Sequence, residues 1–334
     1  MDDKNNVYKI EKDFLINLKM GDIRKADFLD VVYDDSCVKE MDIKDVLSID
    51  KNIISSIEYK ESLKLKKTII ENFKHNRIFS VLSDTKLSIN GSGQLYIVVE
   101  KDVNIFLDFD MSSLLAGLVV NIIVKNKSIC NIFEINTGDN FYKLSYIFCD
   151  DNCVVNHYIV NSDVKSSNIC TIIKESGTYY TDIINLNKNV SHKGFTYLYN
   201  LQQNSVSELL LIAIAENGFS IDCSGLVRIS KDAKNASGKQ NLKGFLIDDE
   251  SLILLKPDLE VLNNDVACSH KAEVFDFSYM QKYYMESRGI FEGDIYDMII
   301  LGKALFFLNK AFTYCFISDF NKCLEKSLHL KISS

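Results

Sequence analysis

The stretch from residue 86 to residue 276 most constrains the fold, because apolar and polar residues alternate through it in short runs. Leu95, Ile97 and Val99 fall on one side of one extended run, and Phe195 and Tyr197 fall on one side of another. A period of two in β-branched and aromatic residues predicts β-strands. Further runs of this kind occupy residues 103–109, 129–135, 154–160, 183–186, 209–215, 226–229, 245–247 and 252–255.

Turn-forming residues separate these runs, for example at residues 150–152 and at Asn217-Gly218, and no helical pattern intervenes. Ten or more short strands without helices predict a mainly β domain, which could be a sandwich, a barrel or a parallel β-helix. The runs have no strict period that would select a solenoid. A stretch of about 190 residues is nevertheless long for one sandwich and suits a stack of coils.

The two flanks have helical patterns and divide the chain into three predicted regions. Residues 1–85 form an N-terminal helical region, with helices predicted over 14–32 and 53–79. Residues 86–276 form the β core, and residues 277–334 form a C-terminal helical region.

The C-terminal region begins with a predicted helix that Ser278 can cap and that Gly289 ends. A second predicted helix aligns Ile295, Ile299 and Phe306 along one stripe, and residues 308–330 continue the helical pattern. An apolar stripe of this kind serves either as core or as a docking face for a partner.

Composition excludes several classes of protein. The chain has 38 basic and 46 acidic residues, a net charge of −8, which argues against nucleic acid as the main partner. The N-terminus has no basic segment followed by an apolar one, so no signal peptide is expected. The longest apolar run, residues 114–124, is about half of what a membrane-spanning helix needs. An odd count of nine cysteines without an export signal predicts reduced thiols, most of them buried.

Common catalytic and cofactor motifs are missing. No P-loop, HExxH, paired CxxC or GxSxG pattern occurs. The Gly91-Ser92-Gly93 run precedes a strand, which predicts a hairpin turn and not a dinucleotide loop. His157 and His192 fall within strand runs, where a structural role is expected.

One pair of residues, Cys268 and His270, has the chemistry of metal ligands. Side chains alternate between the two faces of a strand, so residues two positions apart point to the same face. A thiolate and an imidazole on one face suit iron, zinc or Cu(I). Two ligands do not complete a metal site, so further ligands must come from elsewhere in the chain or from a partner. A catalytic dyad and a plain structural pair are the alternatives.

The residues around this pair resemble the SufB/SufD family of iron–sulfur cluster assembly proteins. The resemblance rests on CSGLV at residues 223–227, KPDLEV at 256–261, NDVACSHKA at 264–272 and YMESRGI at 284–290, and it continues to Gly302. The linked run covers about residues 220–303, and its order and spacing are specific. SufB carries a cysteine and a glutamate where this chain has Val261 and Ser269, so the Cys-Ser-His form is SufD-like.

The resemblance implies a right-handed parallel β-helix core between helical ends, without enzymatic activity of its own. It implies a heterodimer with a SufB-like subunit through the last strands, and a SufC-type ABC ATPase bound by the C-terminal helices. The docking candidates for the ATPase are Tyr284, Arg288, Gly289, Ile290, Ile299 and Gly302.

The resemblance also implies a role for the metal-ligand pair. His270, and Cys268 as a second candidate, would contribute to a transient iron–sulfur cluster at the interface between the SufB-like and SufD-like subunits. The chain alone would hold no cofactor stably. Lys271 follows His270 and would disfavour a charged imidazolium.

Other interpretations are kept as alternatives. One is a cytosolic β-helix enzyme acting on carbohydrate, which the missing export signal and acid cluster disfavour. Another is a free-standing metal-binding protein, and a homodimer of the isolated chain is also open. A bacterial cytoplasm or an organelle stroma is the expected compartment. The single proline, Pro257, is predicted to open the strand that leads towards His270.

Overall fold

The alternating runs form a parallel β-helix. The computed structural model describes residues 26, 28–41, 60–112, 115–276 and 279–291, and residues 298 and 302. The strands are β1 (Leu29–Val32), β2 (Val38–Glu40), β3 (Asn76–Val81), β4 (Thr85–Gly91), β5 (Gly93–Val99), β6 (Val103–Asp110), β7 (Ala116–Val124), β8 (Ile129–Thr137), β9 (Phe141–Cys149), β10 (Val154–Ser162), β11 (Ser166–Ile173), β12 (Thr178–Asn187), β13 (His192–Asn200), β14 (Val206–Ala215), β15 (Ser220–Ile229), β16 (Ala236–Leu246), β17 (Leu252–Val261) and β18 (Val266–Asp276). The helices are α1 (Lys60–Asn72) and α2 (Tyr279–Ser287).

Two nine-stranded sheets face each other. One has the order β1-β4-β6-β8-β10-β12-β14-β16-β18, and the other has the order β17-β15-β13-β11-β9-β7-β5-β3-β2. From β3 to β18 each strand pairs in parallel with the next strand but one. Each coil of the helix therefore contributes one strand to each sheet.

The length of one coil changes along the chain. Asn76 pairs with Gln94, Val154 with Thr178, and Ser220 with Leu252, so one coil spans 18, 24 and 32 residues in turn. This drift explains why the sequence has no strict period although the architecture is a solenoid.

Asparagines and other small polar residues make one row of corners. Asn152, Ser176, Asn204 and Asn235 all have positive φ, and the N–H of each donates to a carbonyl one coil further on. A left-handed backbone is tolerated best by glycine and asparagine, because their side chains clash least with the following carbonyl. The corner chemistry thus favours Asn wherever the coil turns.

The space between the sheets is the main core, lined by the inward side of each strand. It contains stacked amides: Asn136 Nδ2 donates to Asn161 Oδ1 at 2.8 Å, and Asn161 Nδ2 donates to Asn185 Oδ1 at 2.7 Å. Amide ladders of this kind are typical of stacked parallel strands.

A fully buried ionic cluster also lies in this core. Glu134 forms an ion pair with Lys143 and a hydrogen bond with His157, whose other ring nitrogen lies 3.0 Å from the Tyr179 hydroxyl. Burial alone would raise the pKa of Glu134, but Lys143 and His157 outweigh it and hold the pKa down at about 2. Burial lowers the pKa values of Lys143 and His157, and Glu134 opposes this shift in both.

The helical predictions for the N-terminal flank are right only in part. Helix α1 confirms the middle of the 53–79 prediction, and its Leu65 and Ile69, with Phe73 just after the helix, pack on the outer face of the sheet that contains β7 and β9. Residues 76–79, however, begin β3, and residues 29–32, the end of the 14–32 prediction, are β1. Short apolar runs fit both periods, and sheet pairing decides between them.

Other parts of the flanking predictions have different outcomes. Helix α2 and the positive φ of Gly289 confirm the first C-terminal helix and its end. The Ser278 cap, most of the second helix and residues 308–330 lie outside the described residues. The division into regions 1–85, 86–276 and 277–334 as domains stays a prediction. Among the described helices, none is long and apolar enough to cross a membrane.

Candidate functional site

Cys268 and His270 lie on β18, the last strand of its sheet, and both face the solenoid interior. Cys268 pairs with Gly238 and His270 with Gln240, and both of these partners are buried. Cys268 is half-buried and packs against the main core, whereas His270 is exposed. The predicted shared face is therefore confirmed, and it is the face that covers the end of the core.

This end of the β-helix is open. Among the described strands, β17 and β18 each pair on one side only, so their outer edges carry unpaired backbone groups. Apolar side chains are exposed there, among them Leu262, Val274 and Phe275. At the other end the terminal strands are β1 and β2, which pair antiparallel with β4 and β3.

The position of Pro257 differs from the prediction. It is the sixth residue of β17 and does not open the strand. Proline is tolerated inside a strand at a sheet edge, where one side of the backbone has no ladder to complete.

The chemistry of the pair is incomplete within the described part of the chain. Burial raises the pKa of the Cys268 thiol, and a hydrogen bond from the Gly238 backbone partly opposes this. The thiol is thus protonated at neutral pH and must lose its proton to bind a metal. Within the described ranges no group of three or more His, Cys, Asp or Glu residues could hold a metal ion.

The neighbouring lysine is compensated locally. Lys271 Nζ lies 2.5 Å from Glu273 Oε1, so its positive charge next to His270 is neutralised by a carboxylate on the same face.

Gln240, which the sequence did not single out, connects β16 to β17 of the last coil through its side chain. Its side chain crosses the core, and Nε2 donates to the Asp258 carbonyl of β17 at 2.5 Å. Its buried Oε1 has no hydrogen-bond partner among the described residues. A Cβ at Gly225 would lie 2.4 Å from this oxygen, which explains why glycine stands in the CSGLV run. The one indication in the sequence was that Gln240 places an amide at a position of the strand that faces the core.

A groove of about 870 Å³ runs along the outer face of the same sheet up to His270. Its two carboxylates, Asp182 and Glu208, are not a free acid pair. Glu208 lies 2.9 Å from Lys239, and Asp182 is almost fully buried.

The docking candidates of the C-terminal flank follow β18 directly. Tyr284 is exposed on α2, and the Arg288 guanidinium lies 5.2 Å from the centre of its ring. Gly289, with φ of +81°, ends the helix, and the Ile290 N–H donates to the Met285 carbonyl. A Cβ at Gly302 would meet nothing within 4 Å, and Ile299 lies outside the described residues.

His157 and His192 have the structural role expected of them. His157 is buried between Glu134 and Tyr179, and His192 Nδ1 donates to the Val164 carbonyl at 2.7 Å. Burial lowers the pKa of His192 to about 4, so its ring is neutral.

Comparison with known proteins agrees with this architecture. Residues 88–303 match the family model described as SUF system FeS cluster assembly, SufBD core domain. The chain is 27% identical over 195 residues to the iron–sulfur cluster assembly protein SufB of Bacillus subtilis, covering 56% of this chain and 42% of that protein.

Staphylococcal relatives match a shorter stretch. Iron–sulfur cluster assembly SufBD family proteins of Staphylococcus haemolyticus and Staphylococcus epidermidis are 31% identical over 99 residues, 30% of this chain and 21% of theirs. The chain thus spans less than half the length of these curated relatives. Because the family model covers most of the chain and coincides with the β-helix, this chain belongs to the SufBD family of iron–sulfur cluster assembly proteins.

Proposed function

We propose that the chain is a SufD-like, non-catalytic scaffold subunit that pairs with a SufB-like subunit and binds a SufC-type ATPase. The observation that carries the proposal is the open end of the β-helix, where Cys268 and His270 lie on the inner face of the last strand and no described residue completes a metal site with them. A two-ligand half-site on an unpaired sheet end suits a site that a second chain completes.

The nascent iron–sulfur cluster is the cargo of this site. His270 is the first ligand candidate, because its imidazole is exposed and imidazole is a common ligand of iron. Cys268 is the second, because its thiol must first lose a proton. Ser269, in the position of the SufB glutamate, supports the SufD-like assignment.

The ATPase would dock on the C-terminal flank. Tyr283, Tyr284 and Phe291 are exposed there, Phe291 at 79%. Aromatic side chains clustered at the surface are the usual anchors of protein interfaces. The bacterial cytoplasm or an organelle stroma would supply both partners.

Co-purification with both partners tests the proposal with two matched variants. Val274 packs over Gly244 at the open end, so Val274→Lys should lose the SufB-like subunit and keep the ATPase. Tyr284→Ala should lose the ATPase and keep the SufB-like subunit. Retention of both partners by both variants, or no co-purification with the wild type, would overturn the proposal.

A further inference from the structure

A second concave site lies on the outer face of the other sheet, away from His270. It is a pocket of about 340 Å³ over strands β11, β13, β15 and β17. Outward residues at one register make its floor: Ser166 on β11, Lys193 on β13, Asp222 on β15 and Leu254 on β17. Parallel pairing places these residues side by side across the sheet.

The pocket has more positive than negative charge. Lys193 Nζ lies 3.0 Å from Asp222 Oδ2, and Lys256 Nζ lies 3.4 Å from Asp222 Oδ1. One carboxylate therefore serves two ammonium groups. Lys165, half-buried in the pocket wall, has no ion pair with any described residue. The neutral His192 adds no charge, so the two lysines that line the pocket, together with Lys256 beside it, outweigh one aspartate in a chain that is acidic overall.

Two serine hydroxyls in the pocket are poised to donate. Ser166 Oγ accepts a hydrogen bond from Asn168 Nδ2 at 2.8 Å, and Ser191 Oγ accepts one from the Ser220 N–H at 3.1 Å. Neither hydroxyl donates to a described residue. Each hydroxyl carries one hydrogen, so both hydrogens are available to an acceptor inside the pocket.

These features point to one class of ligand. Unmet donors and two surplus positive charges match a phosphate group, which carries a charge of about −1.5 to −2 at neutral pH and three acceptor oxygens. Leu252 and Leu254 line the same pocket and are 62% and 43% exposed. We propose that this pocket binds a small phosphate monoester, with its phosphate at Lys165, Ser166 and Ser191 and its apolar part against Leu252 and Leu254.

Isothermal titration calorimetry of the full chain with inorganic phosphate at constant ionic strength tests the charged half of the site. Lys165→Gln should weaken binding about tenfold, because it removes a charged hydrogen bond. Asp222→Asn should strengthen binding, because it frees two lysines. Lys231→Gln makes the same charge change at an exposed position outside the pocket and should leave the affinity unchanged.

Phenyl phosphate tests the apolar half. It should bind the wild type more tightly than inorganic phosphate does, and Leu254→Ser should abolish this advantage while keeping the affinity for inorganic phosphate. The proposal is overturned if the wild type binds phosphate no better than chloride, if Lys231→Gln weakens binding as much as Lys165→Gln, or if Asp222→Asn fails to tighten it. Circular dichroism of each variant confirms that the β-helix is intact.

Discussion

Replacing Lys143 with methionine should destabilise the β-helix strongly, because Lys143 neutralises a carboxylate in the centre of the core. Both Glu134 and Lys143 are fully buried, and no solvent reaches either group. After Lys143→Met, Glu134 would keep only Asn136 Nδ2 at 2.6 Å and His157 Nε2 at 3.2 Å. Methionine nearly matches the volume of lysine, so the change removes charge with little loss of packing.

The expected loss in the free energy of unfolding is about 3–5 kcal/mol, the range for breaking a buried ion pair by removing one partner. The double variant Lys143→Met/Glu134→Leu should recover most of this, since an apolar pair carries no uncompensated charge. Lys239→Met is the matched control. Its partner Glu208 is 39% exposed, and solvent screens the pair, so this variant should change the free energy of unfolding little.

Urea unfolding at pH 7, followed by circular dichroism of the β signal, measures all three variants against the wild type. The reasoning is refuted if Lys143→Met costs no more than Lys239→Met, or if the double variant is less stable than Lys143→Met alone.

Three further predictions concern the rest of the β-helix. The folded pKa of His192, about 4, lies below the unfolded value of 6.5, so the unfolded chain binds more protons between these values. The neutral ring of His192 therefore contributes about 3 kcal/mol of stability above pH 6.5, and this contribution should be lost as the pH falls towards 4. In a profile of unfolding free energy against pH, His192→Gln should flatten this part. Asn204 has φ of 56°, so Asn204→Val should lower the unfolding free energy by about 1–2 kcal/mol and Asn204→Gly should change it little, measured by urea unfolding. Gly225→Ala should cost about 1–3 kcal/mol through its clash with Gln240 Oε1, and Gln240→Ala in the same chain should relieve the clash in a double-mutant cycle.

Most strands of the core could be predicted from alternation, because they are long enough for a period of two to show, whereas the choice of a β-helix over a sandwich or a barrel came from the family resemblance. The runs at residues 95–99 and 154–160, for example, lie within β5 and β10. Strands β1 and β2 have four and three residues, too few for a period to distinguish strand from helix. They form because they pair with the free edges of β4 and β3. Such pairing joins residues that are far apart in the sequence, so a local pattern does not reveal it.

The two candidate ligands and their shared face could be predicted from the sequence, but the residues that pack around them could not. Alternation along one strand is enough to place Cys268 and His270 on the same face. That Gln240 lies beneath His270 depends on the 30-residue register between β16 and β18, and this register follows from the coil length. The ion pair of Glu134 with Lys143 likewise joins two different strands.

The central claim is that the open end of the β-helix supplies one half of a cluster site. The most direct measurement is the iron and sulfide content, with the visible spectrum, of clusters assembled on the complex with SufB-like and SufC-type partners. His270→Ala should leave the complex intact and lower the cluster yield, whereas Ser269→Ala, on the opposite face of β18, should keep it. An unchanged cluster yield in His270→Ala would contradict the account.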